Sequence, residues 1–126
     1  MMKKIINTPN APAPIGPYSQ AVMVGDTLYT SGQIAINPAT NELEIDDIKS
    51  ETKLVMENLK ALLVEVGMDF SSVIKCSIFI SDMNNFAQIN EVYGTYFISD
   101  YPARETVEVA CLPKNVNVEI SAIAVK

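Results

Sequence analysis

The sequence predicts an α+β two-layer sandwich, with two helices laid over one sheet of five or six strands. Three observations carry this. A helical apolar period runs through Asp46 to Val66 and another through Asn84 to Ser99. Alternating or β-branched runs occupy much of the remaining chain. The length of 126 residues suits one domain spanning 1–126, with hydrophobic residues at 48% and charged residues at 19%.

The stretch from Asn7 to Pro17 holds Pro9, Pro12, Pro14 and Pro17. Four prolines there exclude a helix or central strand and leave an extended, semi-rigid arm. Val22 to Val24 and Thr27 to Ser31 flank Gly25-Asp26, a pair that predicts a type II′ hairpin. Asn37 to Asn41 is a loop by composition. In the first helix Ile48, Val55, Leu59, Leu62 and Val66 share a face. Asp46 and Asp47 supply its cap, and Gly67 stands where a C′ glycine belongs. Val73 to Ile80 alternates, with Ile74, Cys76, Ile78 and Ile80 expected to face the core. The second helix carries Phe86, Ile89, Tyr93 and Phe97 as its stripe, and Pro102 closes the region.

Thr106 to Cys111 and Val116 to Val125 complete the strands, joined through Leu112 to Asn115. In the last strand Val118, Ile120, Ala122 and Ala124 make one face. The other carries Asn117, Glu119 and Ser121, then Ile123 and Val125. A second face this mixed predicts burial against another subunit, hence a homo-oligomer.

Composition narrows the chemistry. There is no histidine, which excludes a Ser-His-Asp triad, a Cys-His dyad and a His-ligated metal. The net charge of −6 repels phosphate backbones, so nucleic acid is not an expected partner. Cys76 and Cys111 have no metal-ligand spacing and read as reduced thiols in the core. No apolar run is long enough to span a membrane. MMKKII, turning to Asn-Thr-Pro at residue 7, lacks the apolar stretch of a signal peptide, so a cytoplasmic location is expected.

A few residues could carry chemistry. Arg104 follows the stiff Pro102-Ala103 turn and offers a planar fork for a carboxylate, although these residues by themselves fit an ordinary surface or ion-paired arginine better. Glu119 sits between Val118 and Ile120; in a dry interface its pKa would rise to suit acid–base work, while in water it would be an ordinary strand residue. Tyr18, fixed by Ile15-Gly16-Pro17, walls a pocket or simply packs. Ser31-Gly32 allows close backbone approach or merely a bulge. Asn90, four residues after Phe86, fixes a loop or reaches a ligand.

Taken in order, these segments resemble one family. Ile15-Gly16-Pro17-Tyr18-Ser19-Gln20-Ala21, Ser31-Gly32-Gln33-Ile34, Phe86-Ala87-Gln88-Ile89-Asn90 and Pro102-Ala103-Arg104 are similar to landmarks of the RidA (YjgF-type) family. Val107-Glu108-Val109-Ala110, Leu112-Pro113 and Val118-Glu119-Ile120 continue the likeness across the chain. The resemblance implies a chorismate-mutase-like fold, two helices on one mixed sheet, assembled as a homotrimer with ligand clefts between subunits. It implies hydrolysis of reactive enamines and imines, such as 2-aminoacrylate, 2-iminopropanoate and 2-iminobutanoate, to 2-keto acids and ammonia. No cofactor is implied, and the substrates are those shed by pyridoxal-phosphate-dependent dehydratases.

Carried over by position, Arg104 clamps the substrate carboxylate and Glu119 holds or activates water. Tyr18, Ser31, Gly32 and Asn90 line or shape the cleft. Thr106 stands where many members have cysteine. Glu105 departs from the small residue usual after the arginine; on a strand it should point away from Arg104. A keto-acid-binding regulator is the alternative reading. A ribonuclease or translation inhibitor is a third, disfavoured by the acidic charge.

Overall fold

The computed structural model describes residues 2–126. It has the two-layer architecture: α1 (Ile48–Glu65) and α2 (Phe86–Gly94) cover one face of a six-stranded sheet. The strands are β1 (Lys3–Ile6), β2 (Ala21–Val24), β3 (Thr27–Thr30), β6 (Val73–Ile80), β7 (Ala103–Glu108) and β8 (Val118–Val125), in the order β1-β2-β3-β8-β6-β7. Among the described residues β6 and β7 alone pair in parallel, so the sheet is mixed. A small second sheet pairs β4 (Ile36–Asn37) with β5 (Glu42–Leu43).

Local chemistry explains most of these boundaries. Asp47 caps α1 by accepting the Ser50 N–H at 3.0 Å. At the other end the Gly67 N–H reaches Val64 O at 3.0 Å and the Met68 N–H reaches Leu63 O at 2.9 Å, closing a Schellman motif. Between these ends Val55, Met56, Leu59, Leu62 and Leu63 are fully buried, each contributing about 1.5–3 kcal/mol by removal from water. They pack on the inner residues of β6 and β8, including Ile78, Ile80, Ile120 and Ala122. Phe70, Tyr93, Tyr96 and Phe97 close the far end with tilted and edge-on ring contacts. The two-residue hairpin joins Val24 to Thr27, and the positive φ of 56° at Gly25, without one at Asp26, matches the expected turn.

Several expectations are corrected. β1 is an extra edge strand: only its Ile6 is buried, so no alternation announced it. Ile74 does not face the core; a bulge between Val73 and Lys75 turns Val73 inward and leaves Ile74 exposed. α2 proper ends at Gly94, with Met83–Asn85 as a 3₁₀ lead-in. β7 begins and ends three residues earlier than its alternation suggested. Cys111 lies outside that strand and is exposed, whereas Cys76 is buried as expected.

The uncovered face presents Ile5 of β1, Tyr29 of β3, and Phe79, Val107 and Glu119 of β6, β7 and β8. Tyr29 is 49% exposed and Val107 41%. Among the described residues no helix is long and apolar enough to cross a membrane.

Candidate active site

A cavity of about 310 Å³ opens beside Glu119. Its walls come from the proline arm, the exit of β3, the 113 turn and β8. An antiparallel bridge lays the β3 exit along β8: the Gln33 N–H donates to Ile120 O at 2.8 Å and the Ile120 N–H to Gln33 O at 3.1 Å. This places Gly32 against the Glu119 carboxyl. A Cβ at residue 32 would fall 1.9 Å from Glu119 Oε2 and 2.7 Å from its Cδ. Only glycine leaves room for the carboxyl in that position.

Burial pushes the Glu119 carboxyl above its ordinary range, with no bonded donor or nearby cation among the described residues to offset it. The surrounding hydroxyls have defined hydrogen-bond capacity. Ser31 Oγ donates to Ser19 O at 2.6 Å, which leaves its lone pairs to accept from a ligand. Tyr18 OH accepts the Ile15 N–H at 3.3 Å and keeps its proton to donate. Tyr18, Ser31, Gly32 and Glu119 therefore meet in one pocket, floored by polar groups and walled by Pro12, Ile15 and neighbouring apolar residues.

The other expected residues form a second cluster. Arg104 on β7 pairs in register with Cys76 and points to the helix side of the sheet. Its Nη1 donates to Asn90 Oδ1 at 2.5 Å. Its guanidinium carbon stands 5.3 Å from the Tyr93 ring centre and 5.6 Å from that of Phe86. Thr106, two residues on, shares this face, and its Oγ1 is buried without a partner. Glu105 faces the opposite way, paired with Lys75 at 3.0 Å and bonded to Ser77, so it does not compete for Arg104.

The two clusters do not meet within one chain. β6 separates β7 from β8, and Arg104 is offset from Glu119 by three register positions. Strand geometry puts their Cα atoms roughly 14 Å apart, with side chains on opposite faces. Sequence reasoning assigned Phe86 and Tyr93 to the core stripe and missed that they also seat the Arg104 fork. It also passed over Glu51, which is fully buried on α1 and accepts the Asn117 N–H at 2.7 Å and the Val118 N–H at 3.3 Å, holding the start of β8. A charged residue in phase with Ile48 and Val55 was the available signal. Among the described residues, no group of three His, Cys, Asp or Glu side chains stands close enough to hold a metal ion.

The profile of the family described as Endoribonuclease L-PSP matches residues 8–126. The chain belongs to that family. Its solved members include RidA from an Antarctic Psychrobacter species, 41% identical, which superposes with a TM-score of 0.94 over 98% of this chain and 99% of that one. Escherichia coli TdcF with bound serine is 47% identical, with a TM-score of 0.94 and 98% of both chains covered. A Dermatophagoides farinae protein named 2-iminobutanoate/2-iminopropanoate deaminase is 51% identical over 123 residues, covering 98% of this chain and 96% of its own. The RidA-type fold expected from the sequence is thus present over 98% of the chain.

Proposed function

We propose that this protein hydrolyses reactive 2-imino acids, 2-iminopropanoate and 2-iminobutanoate with their enamine tautomers, to 2-keto acids and ammonia. The observation that carries the reading is a carboxyl of raised pKa held against Gly32 in an apolar-walled pocket. The deaminase name of relatives at 44–51% identity supports it.

The chemistry suits these groups. A protonated imine carbon is already electrophilic. Ionised Glu119 takes a proton from water as the new C–O bond forms, giving a carbinolamine. The same carboxyl returns a proton to nitrogen, the C–N bond breaks as the hydroxyl oxygen forms the keto C=O, and the hydroxyl proton passes through the carboxylate to the departing ammonia. A base whose pKa is lifted toward neutrality is better matched to this transfer, a contribution of about 10²–10⁴-fold. Tyr18 donates and Ser31 accepts within the same pocket. The substrate carboxylate needs a fork, and Arg104 offers one: its remaining N–H groups are free of Asn90. Such a charge-assisted contact is worth about 1.5–3 kcal/mol.

Arg104 and Glu119 lie on opposite faces of one sheet, so the complete site requires Arg104 from a neighbouring copy. The uncovered sheet face, with Tyr29 and Val107 on it, supplies the surface for that assembly. We take the assembly to be a homotrimer with three such clefts. In the cytoplasm it would dispose of imines shed by pyridoxal-phosphate-dependent dehydratases, a damage-control role.

The test couples a serine or threonine dehydratase to this protein. It follows decay of the imine and appearance of the keto acid, with Arg104→Ala as control. Faster decay with wild type but not with the variant supports the reading; no acceleration by wild type ends it. The family's description names an endoribonuclease, but a chain of net charge −6 with a carboxylate at the pocket floor repels a phosphodiester.

A further inference from the structure

We propose that Gln20 is a positioning residue whose buried amide makes the proline arm a wall of the Glu119 pocket and thereby sets how tightly the pocket holds substrate. The inference rests on the imine reading above. The arm has no place in the sheet: β1 ends at Ile6 and β2 begins at Ala21. Its prolines supply no N–H, so its carbonyls must find donors elsewhere.

Gln20 supplies them. Its side chain is buried immediately before β2. Oε1 accepts the Thr8 N–H at 2.8 Å. Nε2 donates to Thr8 O at 3.0 Å, Ala11 O at 3.1 Å and Pro12 O at 2.9 Å. An amide has two protons, so at least one of these bonds is shared between two carbonyls. The main-chain carbonyl of the same residue accepts the Ser31 N–H at 3.0 Å. One residue therefore ties the arm to the strand that delivers Ser31 and Gly32 to the pocket.

Thr8 and Ala11 are themselves buried, so their polar groups have no water to fall back on. Without the amide they would have to move outward to be solvated. Pro12 and Ile15 would move with them, and both line the cavity beside Glu119. The pocket would lose its wall, while α1, whose Val55, Leu59, Leu62 and Leu63 pack mainly on the inner residues of β6 and β8, stays packed.

The experiment compares wild type with Gln20→Met, which keeps the chain length and removes every side-chain bond. KM for 2-iminobutanoate should rise about tenfold, the scale of one or two lost apolar contacts, while kcat changes less than about threefold. Amide hydrogen exchange should accelerate at Thr8 and stay slow through Val55 to Leu63. An unchanged KM with slow Thr8 exchange would overturn the proposal, and so would exchange that accelerates equally in α1. Should Gln20→Met not fold, the double variant Pro9→Gly/Pro14→Gly, at two prolines outside the cavity wall, loosens the arm and leaves Gln20 in place; it should raise KM likewise, and a wild-type KM there would defeat the proposal. If wild type hydrolyses no imine, the functional reading fails separately. Calorimetric binding of 2-oxobutanoate to wild type and Gln20→Met then decides the role of Gln20, weaker binding by the variant supporting it and equal binding refuting it.

Discussion

Gly32→Ala isolates the position of Glu119 from the stability of the fold. The added methyl would sit 1.9 Å from Oε2, 2.7 Å from Cδ and 2.9 Å from Cγ of Glu119, so the whole carboxyl end must swing away. The backbone at residue 32 is not among those with positive φ, so alanine meets no conformational penalty there. Loss of glycine freedom in the unfolded chain favours the variant by about 0.4–1 kcal/mol, and a displaced, off-rotamer glutamate costs about 0.5–1.5 kcal/mol. These nearly cancel, so Tm should move by only a few degrees. Activity should not survive: a displaced base forfeits about 10²–10⁴-fold in kcat. Paired melting curves and imine-decay kinetics measure both. Wild-type kcat in Gly32→Ala would refute the placement of Glu119 as the working carboxyl. So would a loss of activity that merely follows a large fall in Tm.

Three further outcomes follow from the geometry. Arg104→Lys should lower kcat/KM by about tenfold or more, because a point charge over Phe86 and Tyr93 cannot keep the Asn90 bond and also present a fork; equal kcat/KM would dismiss the clamp. Burial raises the folded pKa of Glu119, so folding favours its protonated form, and stability from this group is lost as pH climbs through that raised value. Glu119→Gln should therefore raise Tm at neutral pH, lose that advantage below the ordinary carboxylate range, and abolish the acid limb of kcat/KM; an acid limb persisting in the variant would assign it elsewhere. Glu105→Ser should change kcat/KM by less than about threefold, since Glu105 engages Lys75 and Ser77 on the face away from Arg104; a large gain would show interference.

Much of this molecule can be read from local chemistry. α1 carries its own cap, stripe and terminating glycine, so its extent and buried face follow from spacing. The two faces of β8, and the outward direction of Glu105, follow from the two-residue period of a strand. The bulge at Ile74 does not, because one inserted residue shifts parity without changing composition. Edge strands such as β1 bury too little to alternate. At the site, the residue types were legible, but their grouping was not. That Glu119 nests on Gly32 depends on the Gln33–Ile120 bridge, a contact between residues far apart in sequence. That Arg104 lies across the sheet depends on strand order, which no local pattern encodes.

The central claim is that one copy's Arg104 serves another copy's Glu119, and subunit mixing tests it directly. Arg104→Ala and Glu119→Gln should each be severely impaired alone, with Glu119→Gln losing about 10²-fold or more. Unfolded together in equal amounts and refolded, they should form mixed oligomers in which about a quarter of the clefts join an intact Arg104 to an intact Glu119, and activity should return to about that fraction of wild type. Mixed oligomers that form yet stay as impaired as their parents would contradict it.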